Sequence, residues 1–379
     1  MPINVGVIGY GFSTNHYHIP FISAIPEYKI TAVLQRAEAP CDISTAERGS
    51  HCTVDLPGIR HYRTPDEFFA DPDTELIVVA THVDTHALFA ERALTVGKHV
   101  LVDKPFVRST EEADRVIALA KEKDLIITCY QNRRWDGDFQ TLRHLMSQNA
   151  LGNIAEAEFH YDFESPPWLG QMNKKEYTPG DGHLFALGAH TFDQALTLFG
   201  RPTSVTAFLR AQRGIESDVE DSYTVILQYG GDQRNLLVTV KSEVITPLRR
   251  QLKLFVRGGE GSYIKWQAKS TCPQEEQIFA GAHPLEPNFG KESPHLHGEL
   301  TTYKEFDGKY QTYDPESEKY TGLYPTITGR WLGLYENLAD AIRARAELEV
   351  RMGQVRDVLR VIELARESHS RGVTVAWRD

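Results

Sequence analysis

The chain has 379 residues, a formal net charge of −11 from 41 Lys+Arg against 52 Asp+Glu, and 41% hydrophobic content. At about 150 residues per domain that length implies two or three domains, and the composition excludes a disordered or collagen-like chain. A field of that sign repels a phosphate backbone, so no nucleic-acid partner is expected. Apolar runs such as Leu76-Ile77-Val78-Val79-Ala80 fall far below the roughly 18 residues of a membrane span, so no membrane partner is expected either. Met1-Pro2 leads straight into Ile3-Asn4-Val5 without a signal-peptide pattern, and the cysteines at 41, 52, 129 and 272 form no C-x-x-C pair. A cytoplasmic protein with reduced thiols is the expectation.

In the first third, β-rich runs at 5–8, 30–34, 76–80, 99–102 and 125–129 alternate with helical patterns. This is the grammar of a parallel α/β sheet. The capping box Ser109-Thr110-Glu111-Glu112, followed by Ala113, Val116, Ile117 and Ala120, predicts a helix. After residue 128 the pattern changes. A helix at 139–146, a strand at 154–163 and a helix at 184–199 precede extended runs at 204–209, 223–229, 236–240 and 252–256. Strands without intervening helices predict a large, mostly antiparallel open sheet. The expected division is therefore a parallel α/β domain over 1–128 and an α+β domain over 129–379. Residues 267–325 show no clear periodicity, and helices are predicted at 331–344 and 354–367.

Three Gly-x-Gly triplets occur, at 9, 180 and 259, but only Gly9-Tyr10-Gly11 follows a leading strand inside βαβ grammar. There a sharp turn and close backbone approach place a pyrophosphate on the next helix, although Thr14 stands where a third glycine is usual, so residues 1–128 are expected to form a Rossmann dinucleotide-binding domain. Where an acidic residue would hold the adenine ribose, at the end of the second strand, the chain has Gln35-Arg36. An arginine binds a 2′-phosphate that a carboxylate would repel, which favours NADP over NAD; Glu38 nearby is the rival carboxylate. His295-Leu296-His297 with Glu299 carries imidazoles at strand spacing, but without a second ligand pair no functional metal is expected.

Four segments stand in order: Gly9-Tyr10-Gly11-Phe12-Ser13-Thr14, Asp103-Lys104-Pro105, Tyr130-Gln131-Asn132-Arg133-Arg134-Trp135-Asp136 and Leu187-Gly188-Ala189-His190-Thr191-Phe192-Asp193. Together they resemble the Gfo/Idh/MocA oxidoreductase family over nearly the whole chain, with a spacing most similar to its NADP-dependent scyllo-inositol dehydrogenase branch.

The resemblance implies a hydride-transferring enzyme acting on a sugar or polyol. It assigns Lys104, in a variant of the family's E-K-P segment, to polarising the substrate oxygen, and His190 to exchanging the proton. Cofactor contacts are implied for Gly9, Tyr10, Gly11, Phe12, Ser13, Thr14, Gln35, Arg36, Thr81, His82, His86, Asp103, Lys104 and Gln131. For substrate, they are implied for Asn132, Arg133, Tyr161, Asp162, Asp181, His190 and Asp193. Tyr161 and Asp162 are expected on the first strand of the second domain, and for Arg134 and Asp136 an intersegment salt bridge is the simple structural alternative. The chain departs from the family in two places: Ala186 replaces an aspartate one turn before His190, and His82 replaces a proline. Lost pairing at Ala186 keeps open an NADP-sensing regulator of the same fold, and a reductase of a non-sugar carbonyl compound is the other alternative. Relatives of this kind assemble as homodimers or homotetramers through the second-domain sheet.

Overall fold

The computed structural model describes residues 1–267 and 272–378; part of the aperiodic segment read at 267–325, residues 268–271, lies outside them. The chain forms two compact units, one of 1–132, 281–286 and 331–356, the other of 133–280, 287–330 and 357–379.

In the first unit, β1 (Ile3–Ile8), α1 (Ile19–Ser23), β2 (Tyr28–Leu34), α2 (Cys52–Asp55), β3 (Arg60–Tyr62), α3 (Pro65–Phe69), β4 (Leu76–Val79), α4 (His86–Thr95), β5 (His99–Val102), α5 (Thr110–Glu122) and β6 (Ile127–Cys129) follow in chain order. The strands form a parallel sheet in the order β3-β2-β1-β4-β5-β6. All four residues of β4 are buried, as a strand covered on both faces requires. The predicted cap of α5 forms, with Glu112 N donating to Ser109 Oγ at 3.2 Å. Strand order reverses between β1 and β4, so their carboxyl ends bound the crevice where such sheets bind ligands.

The second unit opens with α6 (Gly137–Ser147), β7 (Ile154–His160), α7 (His183–Ala186) and α8 (Gly188–Phe199). The single helix expected over 184–199 is thus two, because the chain turns at Leu187 before Gly188 starts the second; a side chain at Gly188 would press on the Phe192 ring. Next come β8 (Ser204–Arg210), β9 (Ser222–Gln228), β10 (Leu237–Ser242), β11 (Leu252–Gly258), β12 (Gly261–Trp266), α9 (Pro273–Phe279), β13 (Gly298–Thr302), β14 (Thr312–Asp314) and β15 (Lys319–Tyr324). Among its described residues the aperiodic segment therefore contains three strands: β14 pairs with β15 as a hairpin, β15 with β13, and β13 with β12. α10 (Leu332–Ile342) belongs to the first unit, α11 (Met352–Arg371) runs from the first into the second, and β16 (Val375–Ala376) pairs with β8. The ten-stranded sheet runs β14-β15-β13-β12-β11-β7-β10-β9-β8-β16 and is antiparallel except for the β7–β10 pair.

Candidate functional site

In the first unit the switch-point crevice is built from three strand-end turns. Gly9 follows β1 with φ +96°, a conformation that only glycine adopts without strain, and a Cβ there would collide with the Ala80 carbonyl after β4. A Cβ on Gly11, in contrast, would meet nothing within 4 Å, so the turn is open on the side where a diphosphate must approach. Thr14, standing in for the third glycine, is fully buried and its hydroxyl donates to Gly9 O at 2.9 Å, closing the turn by a side-chain bond. The Tyr10 hydroxyl donates to Asp55 on α2 at 2.6 Å, and Phe12 is exposed. These features fit a dinucleotide.

The turn after β5 carries Asp103, Lys104 and Pro105, with a cis bond between the last two. Asp103 is buried and accepts a hydrogen bond from Ser13 of the glycine turn, while its second oxygen accepts from Lys104 N at 2.7 Å. His18 Nε2 lies 3.6 Å from the same carboxylate, and His18 Nδ1 is 2.7 Å from the Tyr335 hydroxyl of α10. Burial opposes ionisation of Asp103, yet His18, Lys104 and Ser13 outweigh it and hold the carboxyl below its ordinary range. The Lys104 turn is thereby fixed to the cofactor turn.

His86 of α4 ties the remaining turns together: its Nε2 is 3.1 Å from Thr81 O and its Nδ1 is 2.9 Å from Pro105 O. It is buried, so its side chain serves as a strut between the turns after β4 and β5. Thr81 Oγ1 is 2.7 Å from Thr85 Oγ1, and the exposed His82 pairs with Asp84 at 2.9 Å. Gln131 and Asn132 are buried just beyond β6. At the end of β2, Glu38 is held by Arg63 at 2.6 Å, whereas Arg36 is exposed and, among the described residues, makes no ion pair. The rival carboxylate is thus neutralised by a neighbour.

In the second unit His190 lies on α8, buried, with its ring 6.4 Å from that of Tyr161. Ala186 ends α7, on the far side of the turn at Leu187. Tyr161 and Asp162 lie just past β7 rather than on it, because β7 ends at His160. Asp162 accepts from Glu243 N at 2.9 Å and faces His160 at 3.2 Å. Burial lowers the proton affinity of His160, but Asp162 and Glu158 raise it further, to a net upward shift. Asp181 is held by Lys174 at 2.7 Å and by Thr178.

Two residues expected to touch substrate instead carry internal ion pairs. Arg134 makes the salt bridge to another segment that its sequence context suggested, reaching Asp193 through two bonds of 2.8 and 2.6 Å, and both side chains are almost completely buried. Asp193 is therefore a packing anchor of α8, since a bidentate guanidinium occupies both its oxygens. Arg133 pairs with Glu275 at 2.7 Å, Cys272 Sγ at 2.7 Å and Asp136 at 3.6 Å. The His295 and His297 pair is also corrected: Pro294–Leu296 is a 3-10 turn and β13 begins at Gly298, so strand alternation does not apply.

The sequence reading missed His18, whose partners come from the turn after β5 and from α10, and Lys253 of β11. The Lys253 ammonium lies 3.4 Å above the Tyr161 ring and 4.0 Å from Asp138, and burial lowers its pKa. Neither carried a local signal, because each is defined by partners remote in sequence.

Comparison with known proteins places this geometry. Residues 3–131 match the oxidoreductase family with an NAD-binding Rossmann fold, GFO_IDH_MocA, and residues 139–264 match the GFO/IDH/MocA C-terminal domain. The chain belongs to the Gfo/Idh/MocA oxidoreductase family. An uncharacterized oxidoreductase of Schizosaccharomyces pombe is 35% identical over 374 residues, covering 97% of each chain. The scyllo-inositol 2-dehydrogenase (NADP(+)) IolW of Bacillus subtilis is 30% identical, covering 98% of this chain and 95% of its own. A solved structure, the oxidoreductase yvaA of Bacillus subtilis, superposes with a TM-score of 0.84 at 29% identity over the whole of both chains. The Gfo/Idh/MocA assignment agrees with the strand order of the first sheet and the antiparallel character of the second. No helix among the described residues is long and apolar enough to cross a membrane.

Proposed function

We propose that this protein is a cytosolic NADP-dependent oxidoreductase that interconverts a hydroxyl and a carbonyl on a sugar or polyol. The observation that carries the reading is the Asp103 carboxylate, which joins Ser13 of the glycine turn to the backbone of Lys104 and so sets the one cationic residue of the family motif beside the dinucleotide turn. The bound cofactor supplies the hydride chemistry. Gly9, Tyr10, Gly11, Phe12, Ser13 and Thr14 would hold its diphosphate; Gln35 and Arg36 its adenosine; Thr81, His82, Asp103 and Gln131 the remainder, with His86 acting through the two turns it braces. Preference for NADP is supported by the exposed Arg36 and by Arg63 neutralising Glu38.

Lys104 donates a hydrogen bond to the substrate oxygen and stabilises the negative charge that develops on it. His190, following the family pattern, takes the alcohol proton in oxidation and returns it in reduction. Asn132, Tyr161, Asp162 and Asp181 are the polar residues assigned to the remaining hydroxyls, while Arg133 and Asp193 act through the ion pairs that shape their surroundings. The same reading makes the protein a homodimer or homotetramer joined through its larger sheet. A second reading, an NADP-sensing regulator, is favoured by Ala186, because no carboxylate stands at that position and Asp193 is occupied by Arg134. Reduction of a non-sugar carbonyl compound would use the same two residues.

Fluorescence titration with NADPH, followed on the same sample by absorbance assays against sugars, polyols and their keto forms, separates these readings. Tight binding with turnover on one stereochemical series is the expected result. Binding without turnover would favour the regulator, and absence of binding to either nicotinamide cofactor would overturn the proposal.

A further inference from the structure

A second group of chemically competent side chains lies in the first unit, away from the Lys104 turn. His51 caps α2, Cys52 is its first residue, and His61 sits in the middle of β3. One imidazole nitrogen from each histidine and the Cys52 sulfur all lie within 4.8 Å of one another. The two rings meet edge to face at 4.6 Å, and among the described residues no other three His, Cys, Asp or Glu side chains converge in this way. We propose that His51, Cys52 and His61 form a zinc-binding site, with two imidazole nitrogens and a thiolate as protein ligands and water in the fourth position.

The surroundings are those of a ligand set. His61 Nε2 is 2.9 Å from Gln35 O and His51 Nε2 is 3.4 Å from Ala37 O, so a backbone carbonyl accepts from each ring. This is the outer-shell arrangement that fixes the tautomer of a metal-binding histidine and leaves Nδ1 with the lone pair. His51 Nδ1 accepts the capping hydrogen bond from Thr53 N at 3.3 Å and lies 2.9 Å from the Thr53 hydroxyl, so a cation that takes this lone pair replaces the side-chain cap of α2. Cys52 and His51 are buried and His61 is half-buried, which gives the fourth ligand a path to solvent. Sulfur with two nitrogens, and no carboxylate, suits zinc rather than magnesium or calcium. Zinc bonds of about 2.0–2.3 Å put tetrahedral ligands roughly 3.5 Å apart, so side-chain rotations of about 1 Å complete the set. Binding forms a zinc–sulfur bond and releases the thiol proton to buffer, with no change of oxidation state.

The cluster also grips Gln35. The Gln35 side-chain oxygen accepts from Cys52 N at 2.9 Å and its amide donates to Ser50 O at 3.1 Å. A cation there fastens residues 50–52 to the end of β2 and tightens NADPH binding at Gln35 and Arg36. That consequence rests on the cofactor reading; the zinc site itself does not.

The test uses the full chain, stripped with a chelator and titrated with zinc alone against a chromophoric competitor, then with cobalt as a spectroscopic probe. One equivalent of zinc is expected, with a sulfur-to-cobalt charge-transfer band that Cys52→Ser removes. Cys52→Ser and His61→Ala should each weaken zinc binding by about 100-fold, while Cys41→Ser, which changes an exposed thiol, should leave it intact. Substoichiometric uptake, equal affinity in all variants, or loss on Cys41→Ser would overturn the site. Thermal melts of the metal-free variants check folding independently; if Cys52→Ser failed to fold, the cobalt spectrum of His61→Ala, expected to lose its tetrahedral character, would decide. NADPH titration with and without zinc completes the set: zinc uptake without any NADPH binding would overturn the cofactor reading and leave the metal site standing.

Discussion

Asp103 and Asp193 are both buried carboxylates in short family motifs, yet the fold gives them opposite surroundings. Asp103 opens the turn after a parallel strand and is shared among a serine, a histidine and the backbone of Lys104, none of which is a fixed cation in direct bidentate contact. Asp193 lies mid-helix and is closed off by both nitrogens of one buried guanidinium. The first arrangement keeps an ionised carboxylate among several separate donors at a turn, whereas the second makes a rigid joint. Sequence alone placed both in the site; charge pairing separates them.

The largest effect expected from this contrast is at Lys104. Lys104→Ala should lower turnover by about two to four orders of magnitude with NADPH affinity nearly unchanged; steady-state kinetics beside a binding titration would show it, and near-normal turnover would remove Lys104 from the reaction. On the other side of the comparison, Asp193→Ala leaves Arg134 as an uncompensated buried charge and should cost about 3–5 kcal/mol of stability. Denaturant unfolding measures this, and a loss of activity without a loss of stability would return Asp193 to the reacting groups.

A third prediction sharpens the contrast through pH. His183, packed edge to face on Trp168 at 4.8 Å, is buried, and its pKa falls from 6.5 to about 4. The unfolded chain binds the proton more tightly, so the neutral ring contributes its full stability above pH 6.5 and loses it as pH falls from 6.5 towards 4. The loss should be on the order of 3 kcal/mol, and His183→Gln should flatten that part of the stability profile. At the cofactor end, Arg36→Asp should weaken NADP binding by roughly 10- to 100-fold while sparing NAD; equal loss for both would dismiss the 2′-phosphate assignment. The smallest effect belongs to Ser13→Ala, which removes one neutral donor from Asp103 and should cost about 1 kcal/mol, read as a modest fall in melting temperature.

Much of this arrangement was legible in the chain. The β1 turn, the parallel α/β grammar and the α5 cap announce themselves because their physics is local: a glycine with positive φ, apolar runs of strand length, a serine three residues before a glutamate; the other motif segments were legible through the family resemblance. Other features were not. The helix expected over 184–199 breaks at Leu187, and the partner that closes the intersegment bridge of Arg134, Asp193, stands 59 residues away. β13, β14 and β15 carry too few alternating residues to signal themselves and exist through their pairing.

Residue type and spacing thus determined the Rossmann grammar, the family motifs and the turn that carries Lys104, since backbone preference and hydrophobic period act over a few residues. Only tertiary structure decided which charges neutralise one another. It set His18 between Asp103 and Tyr335, 317 residues further on, closed Arg134 onto Asp193, and gathered His51, Cys52 and His61 from a loop, a helix start and a strand. Hydrogen bonds and ion pairs act over a few ångströms in space, and the distance along the chain that closes them is invisible until the chain has folded.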